Sequence, residues 1–303
     1  MTTGREHRIA TFAERAAGER AYMEKSGIKT LINSLSGGVD STVSALISKE
    51  ATPEGSIGLI LPCSPPEELH GERQKDIVDG QRVADHLGIP AVVINLSDLW
   101  AQAVALYTEA AREMAAKRGV PINEAKLNWA VNNLKPTLRM MTAGFFADAF
   151  QGLMMGTDNA IENFLGYFSI RGDGVADRQP IRDCTKAEVR GLAAAGGFAE
   201  DLVTRVPTAG LWPGQTDEGE LGFTYDEADT FFIWLVEKHL QTPVMDEFMT
   251  VKAEAVEGIL ADPGLPVAAE SARKIIAQNR RTAFKRKSDD LQNLLLRRGL
   301  IAE

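Results

Sequence analysis

The chain has 303 residues, of which 44% are hydrophobic and 25% charged, with two cysteines, so it can bury a sizeable core and is not a disulfide-stapled scaffold. A net charge of -9 and a pI near 5.2 argue against nucleic acid as a partner, because phosphate-backbone affinity rests on clustered cations. The charged first 20 residues contain no apolar targeting segment and no later stretch is long enough to cross a bilayer, so a cytoplasmic chain with no membrane partner is expected.

In chain order, helical periodicity over 9–25 precedes a short apolar run over 30–35, which predicts a strand. A glycine turn follows and opens a helix over 42–49. A second strand over 57–61 stops at Pro62, a helix over 67–87 carries Ile77, Val83 and Leu87, and a third strand over 91–96 is introduced by Gly88-Ile89-Pro90. A helix over 98–117 leads through Gly119-Val120-Pro121 into a polar connection, then a helix over 137–150 and the strand Leu153-Met154-Met155. Segments 166–179, with three glycines, and 207–222, with two prolines and four glycines, read as loops. The remainder is helical, over 226–239, 244–260, 268–278 and 288–298. Strands alternating with helices predict an α/β fold, a doubly wound parallel sheet with a helical C-terminal portion, whose ligands gather beyond the carboxyl ends of the strands. One domain is expected over 1–303, with its core at about 28–235 and the helical portion at about 236–303.

The turn Ser36-Gly37-Gly38-Val39-Asp40-Ser41 joins strand to helix, an arrangement that lets successive backbone N–H groups converge on phosphate oxygens at the positive helix end. Ser36 and Ser41 add hydroxyl donors. Asp40 would repel phosphate directly and suits a site where Mg2+ stands between them. The Gly-Lys-Ser/Thr ending of a Walker A loop is absent. The string resembles the pyrophosphate loop of the N-type ATP pyrophosphatases, the adenine nucleotide alpha hydrolase-like superfamily, whose members release pyrophosphate and transfer AMP.

Further matches narrow the resemblance. Gly156-Thr157-Asp158-Asn159-Ala160-Ile161-Glu162, Gly172-Asp173-Gly174 with Asp177, Thr185-Lys186, Pro207-Thr208-Ala209, Asp217-Glu218, Glu220-Leu221-Gly222 and Tyr225-Asp226 occur in the order and spacing of the ammonia-dependent NAD synthetases. The resemblance implies that Asp40 and Glu162 hold Mg2+ and that Thr157, Lys186 and Thr208 join the loop in binding ATP. It also implies that Asn133, Arg139, Asp177 and Lys285 bind the second substrate and that Asp173 lies in the loop over the reacting centre; because ammonium must lose a proton before it attacks, Asp173 is the candidate acceptor or positioning group. The implied reaction is adenylation of a carboxylate with release of pyrophosphate, then amidation by ammonia, nominally deamido-NAD to NAD. A homodimer without its own glutaminase domain is expected, ammonia being free or supplied by a separate glutaminase.

Departures fall on the substrate half of the pattern. Family cations or polar groups are replaced by Thr137, Ile170 and Phe284, with Arg139, Arg171 and Lys285 nearby. Losing two charge-assisted hydrogen bonds would weaken an anionic substrate by roughly two to four orders of magnitude. Two readings stay open: the neighbouring arginines have taken over, or the pocket accepts a less anionic carboxylic acid. The four histidines, His7, His70, His86 and His239, lie in no triad-like setting, and Cys63 and Cys184 lack metal-ligand spacing.

Overall fold

The computed structural model describes residues 10–64, 72–212 and 214–301. Helix α1 (Phe12–Ser26) is set by the capping box of Thr11 and Glu14 and leads into strand β1 (Thr30–Ser34). Then come α2 (Val39–Ala51), β2 (Ser56–Ile60), α3 (Glu72–Leu87), β3 (Ala91–Val93), α4 (Ser97–Lys117), α5 (Glu124–Ala149) and β4 (Gly152–Met155). The four strands are parallel in the order β3-β2-β1-β4. From β1 the chain therefore winds outward to β3, crosses back through α4 and α5, and adds β4 on the other side of β1. The winding reverses between β1 and β4, and their carboxyl-terminal loops must part there, which opens a crevice.

Short α6 (Ala160–Leu165), α7 (Lys186–Ala195), α8 (Glu200–Val203) and α9 (Asp217–Leu221) carry the loops around this crevice. Helices α10 (Tyr225–Gln241), α11 (Val256–Leu260), α12 (Ala269–Arg281) and α13 (Asp290–Arg297) complete the chain. One core joins α1, α2, α3 and α7 to one face of the sheet, through residues such as Leu31, Val43, Ile60 and Val189. Ile32 and Leu59 face the opposite way and pack under Leu138, Ala143 and Ala147 of α5. A third core, with Phe164, Phe231 and Ile275, welds α6 to α10 and α12. Two polar ties hold the crevice in shape: Ser44 Oγ of α2 donates to Gly156 O just past β4 at 3.0 Å, and Ser48 Oγ donates to buried Asn33 Oδ1 of β1 at 2.7 Å.

The structure adds α6, α7 and α8 where no helix is expected, sets α9 inside the expected loop over 207–222, and differs in three further elements. The helix expected from 137 begins at Glu124, because Asn123 caps it through Lys126 N and Pro136 deletes one internal hydrogen bond without ending it. The helix expected over 244–260 is replaced by a tight bend before α11. There Asp246 Oδ1 accepts from Phe248 N and Thr250 N, Met249 takes φ 57°, and Met245 bridges Val251, so a local carboxylate outcompetes the helical ladder. The third strand ends at Val93. The start of the helix expected over 67–87, with His70, and His7 lie outside the described residues. Of the other histidines, His86 Nε2 lies 3.1 Å from Gly196 O and His239 Nδ1 accepts from Met245 N, both structural positions. Both cysteines are buried, and burial pushes the Cys184 thiol up to about 12.

Candidate active site

Gly38 is the extended N-cap of α2, so the first amides of that helix open toward the crevice. Ser36 Oγ lies 3.0 Å from Ser41 Oγ and accepts from Gly38 N, which closes the loop on itself. Ser36, Gly38, Val39, Asp40 and Ser41 line a 260 Å³ chamber beyond the ends of β1 and β2. Gly37 stands behind it with φ +73°, where a Cβ would come within 2.5 Å of Asp79 Cβ. Gly37→Ala is expected to cost more than the roughly 1 kcal/mol of a left-handed alanine and to distort the loop, as thermal denaturation would record.

The chemistry of this chamber centres on Lys186. Thr185 caps α7 in a capping box with Glu188, and Asp229 accepts from Lys186 N and Ala187 N, so the lysine is anchored at its backbone. Its Nζ lies 2.5 Å from Asp40 Oδ2 and 3.1 Å from Glu162 Oε1, bringing together residues that are 122 and 24 positions apart from each other in sequence. Glu162 has two duties. As the third residue of α6 it accepts from Asn159 N in a capping box, and its other oxygen faces Lys186. Asn159 Nδ2 in turn donates to Asp40 Oδ1 at 2.9 Å. Burial opposes the charge on Lys186, but Asp40 and Glu162 outweigh it and hold its pKa above the ordinary value. Burial raises the Glu162 carboxyl to about 7 despite Lys186.

A second chamber of 370 Å³ opens beside the first and shares Ser36, Ser41, Arg139, Thr157, Tyr167, Asp173 and Ala209 with it. Its walls include Trp129, Pro136, Met140, Phe168 and Trp212 together with polar side chains such as Asn133, Arg139 and Asp173, so it is a largely apolar slot with a few polar groups. Arg139 Nε donates to Leu61 O, Asn133 Oδ1 accepts from Ser169 Oγ at 2.6 Å, and Lys285 Nζ donates to Gly166 O and Phe168 O. Asp173 accepts from Ser169 N at 2.8 Å, and burial raises its pKa. Thr208, on the first chamber, holds the 207–222 segment through Gln215 O at 2.7 Å. Of the residues expected at the site, Gly37 and Asp177 line neither chamber, and Gly37 stands directly behind the first. Asp177 is exposed, and its Oδ2 accepts from Met154 N, pinning the 176–178 connection to β4. Thr137, Ile170 and Phe284 line neither chamber: Thr137 Oγ1 bonds Asn133 O, and the other two side chains are exposed. Cations nevertheless line the second chamber, in Arg139, Arg281 and Lys285.

The family model for NAD synthase matches residues 12–288, a span that takes in both chambers. The chain belongs to the NAD synthase family. It is 41% identical over 215 residues to the NH(3)-dependent NAD(+) synthetase of Carboxydothermus hydrogenoformans, covering 71% of this chain and 81% of that protein. The like-named protein of Methanopyrus kandleri is 33% identical over 271 residues, covering 88% and 85% of the two chains. Among solved structures, NMN synthetase from Francisella tularensis superposes with a TM-score of 0.67 at 24% identity, covering 92% of this chain and 97% of that one. NAD+ synthetase from Burkholderia pseudomallei superposes at 0.60 and 22% identity over 91% and 90%. At these identities the two structures establish the fold, the α/β parallel sheet expected from the sequence.

The Mg2+ that an NAD synthase implies fits the donors present. Asp40 and Glu162 already share one cationic atom, Lys186 Nζ, and carboxylate oxygens suit a hard cation. Among the described residues no group of three or more His, Cys, Asp or Glu could hold a metal, so the remaining ligands would be phosphate and water. Sequence reading missed the hydroxyl chain beside this centre: Tyr225 OH lies 3.3 Å from Glu162 Oε1 and 3.1 Å from Asp217 Oδ2, and Tyr167 OH links Asp217 to Glu220. Tyr225, Asp217 and Glu220 stand in the matched NAD synthase text, but nothing local in sequence marks Tyr167. Arg205, two residues before Pro207, was missed as well, although it lines the first chamber.

Proposed function

We propose that this chain is an NH3-dependent NAD synthase that converts deamido-NAD to NAD while splitting ATP into AMP and pyrophosphate. The observation that carries this reading is the pairing of two adjoining chambers: a phosphate loop with its lysine and two carboxylates adjoins a largely apolar slot whose lining includes Arg139, Arg281 and Lys285. ATP fits the first, with its β- and γ-phosphates at the α2 amides, and the nicotinate end of the second substrate fits the slot. Identity of 41% and 33% to proteins named for that activity favours deamido-NAD over another acid. The position of Thr137, Ile170 and Phe284 outside both chambers supports the same choice, because their exchange removes no cation from the slot.

The substrate carboxylate attacks the α-phosphorus of ATP and pyrophosphate leaves toward the loop. Bound Mg2+, held by Asp40 and Glu162, would supply charge neutralisation on the phosphate oxygens. Lys186 is a point charge within reach of the same oxygens, and Thr157 and Thr208 offer hydroxyls on the shared wall. Ammonia then attacks the acyl carbon of the adenylate and AMP departs. The incoming ammonium gives up one proton before attack, for which Asp173, buried and shared by both chambers, is the acceptor or positioning carboxylate, and the nitrogen loses a second proton to the departing AMP phosphate or to water as the amide forms. Mixing protein with ATP, Mg2+, ammonium and deamido-NAD should yield NAD, AMP and pyrophosphate in equal amounts. Formation of ADP, or turnover only with a different acid, would reject the assignment.

The same reading includes a homodimer and a cytoplasmic location. Leu106, Tyr107 and Met114 of α4 and Trp129, Met141 and Phe145 of α5 are all more than half exposed, an apolar stripe along two adjacent helices that a second copy would cover. Met141→Glu with Phe145→Glu should shift the light-scattering mass to that of a single chain; an unchanged mass would place the interface elsewhere. Two buried thiols without a disulfide suit a reducing compartment, and among the described residues no helix is long and apolar enough to cross a membrane.

A further inference from the structure

The first chamber is electrostatically awkward for a nucleotide triphosphate. Among the described residues, six carboxylates line it against three cations, Arg139, Lys186 and Arg205. Lys186 is engaged by Asp40 and Glu162, and Arg139 donates to Leu61 O on the wall shared with the second chamber. Arg205 stands at the phosphate loop itself. Its Nη1 donates to Gly37 O and to Asp79 Oδ2, each at 3.2 Å, and its Nη2 pairs with Asp76. Gly37 must lack a side chain partly on this account, since a Cβ there would lie 2.9 Å from Arg205 Nη1.

The partners of Arg205 are arranged so that it can leave them. Asp79 is buried, and an orphaned buried carboxylate would be costly, but Arg82 Nη1 also holds Asp79 at 2.9 Å while gripping Asp201 with its fork. Asp79 therefore stays paired if Arg205 turns away. The side chain of Asp76 is 42% exposed, so water can replace its partner at little cost. Resting on this assignment of the phosphate loop, we propose that Arg205 is a binding residue for the terminal diphosphate of ATP, held by Asp76 and Asp79 in the nucleotide-free protein and transferred to the β- and γ-phosphate oxygens when the chamber fills. A guanidinium presents two parallel donors to a phosphate edge, and the charge it adds is needed most as pyrophosphate departs.

The test is calorimetric titration of the intact protein with Mg-pyrophosphate and, separately, with AMP, which lacks the terminal phosphates and needs no second substrate. Arg205→Ala should weaken pyrophosphate about 10- to 100-fold and leave AMP within about 2-fold, and Arg205→Lys should recover part of the loss because it keeps the charge but not the fork. Asp76→Asn should tighten pyrophosphate about 2- to 5-fold by removing the competing partner. Equal losses for AMP and pyrophosphate in Arg205→Ala would show a merely structural residue, and unchanged pyrophosphate affinity would show none at all; either overturns the proposal while the loop assignment stands. Absence of pyrophosphate binding by the parent protein is the separate result that would remove the loop assignment and this proposal together.

Discussion

Glu162→Gln is expected to lower AMP formation from ATP by about 10²- to 10³-fold while shifting the thermal midpoint by no more than about 3 °C. The separation is possible because the two oxygens of Glu162 do different work. One accepts from Asn159 N as the third residue of a capping box, a duty glutamine performs equally. The other faces Lys186 and, in the proposed reaction, Mg2+, where a neutral amide is a poor substitute. Glu162→Ala should lose both, adding about 1 kcal/mol of instability for the broken cap. A second signature is pH dependence. With its carboxyl at about 7, Glu162 is largely protonated at pH 6, so Mg2+ affinity should rise as pH passes from 6 to 8 and then level. Glu162→Gln should flatten that rise. A glutamine variant that forms AMP at the parental rate would reduce Glu162 to a capping carboxylate.

How much of this was legible in the sequence depends on whether the information was local. The order of strands and helices followed from apolar runs separated by glycine and proline, and the phosphate loop announced itself because strand, turn and helix start are contiguous. The pairing of Asp40 with Glu162 and Lys186 was legible only through a pattern shared with a family. No periodicity places three residues from the starts of three helices around one point. Elements were lost where a single residue was given the wrong weight. The helix expected from 137 begins at Glu124 with Pro136 inside it, and Asp246, within the helix expected over 244–260, instead uses its carboxylate to collect two amides. Asp177 shows the converse case. Its place in the family text implies a substrate contact, and the structure adds a hydrogen bond from Met154 N to its carboxylate that only the course of the backbone past β4 could reveal. Arg205 carried no signal, because an arginine between Thr204 and Val206 is ordinary surface text until α3 brings Asp76 and Asp79 to it.

Removal of the central ammonium should be the most damaging single change, because it acts on both stability and chemistry. In Lys186→Met the side chains of Asp40 and Glu162, each about one-sixth exposed, are left facing the space vacated by their shared cation. Breaking a buried pair in this way costs about 3–5 kcal/mol, and the deficit should depend on pH with a definite sign. The folded-state pKa of Glu162 is raised above 4.5 to about 7, so the folded protein holds this proton more tightly than the unfolded chain. Its contribution to stability is fully present below pH 4.5 and is lost as pH rises through 7. Without Lys186, the opposing pull of the ammonium disappears and the carboxyl keeps its proton to still higher pH. The variant should therefore be nearest the parent in denaturant midpoint at about pH 5 and fall furthest behind at alkaline pH. In ATP–pyrophosphate exchange the loss should be at least about 10³-fold at every pH, since added protons quiet the carboxylates but do not restore a positive charge beside the phosphates. A stability deficit of the same size at pH 5 and pH 8 would mean that Glu162 is not the group whose ionisation Lys186 supports, and exchange within tenfold of the parent would remove Lys186 from the phosphate site.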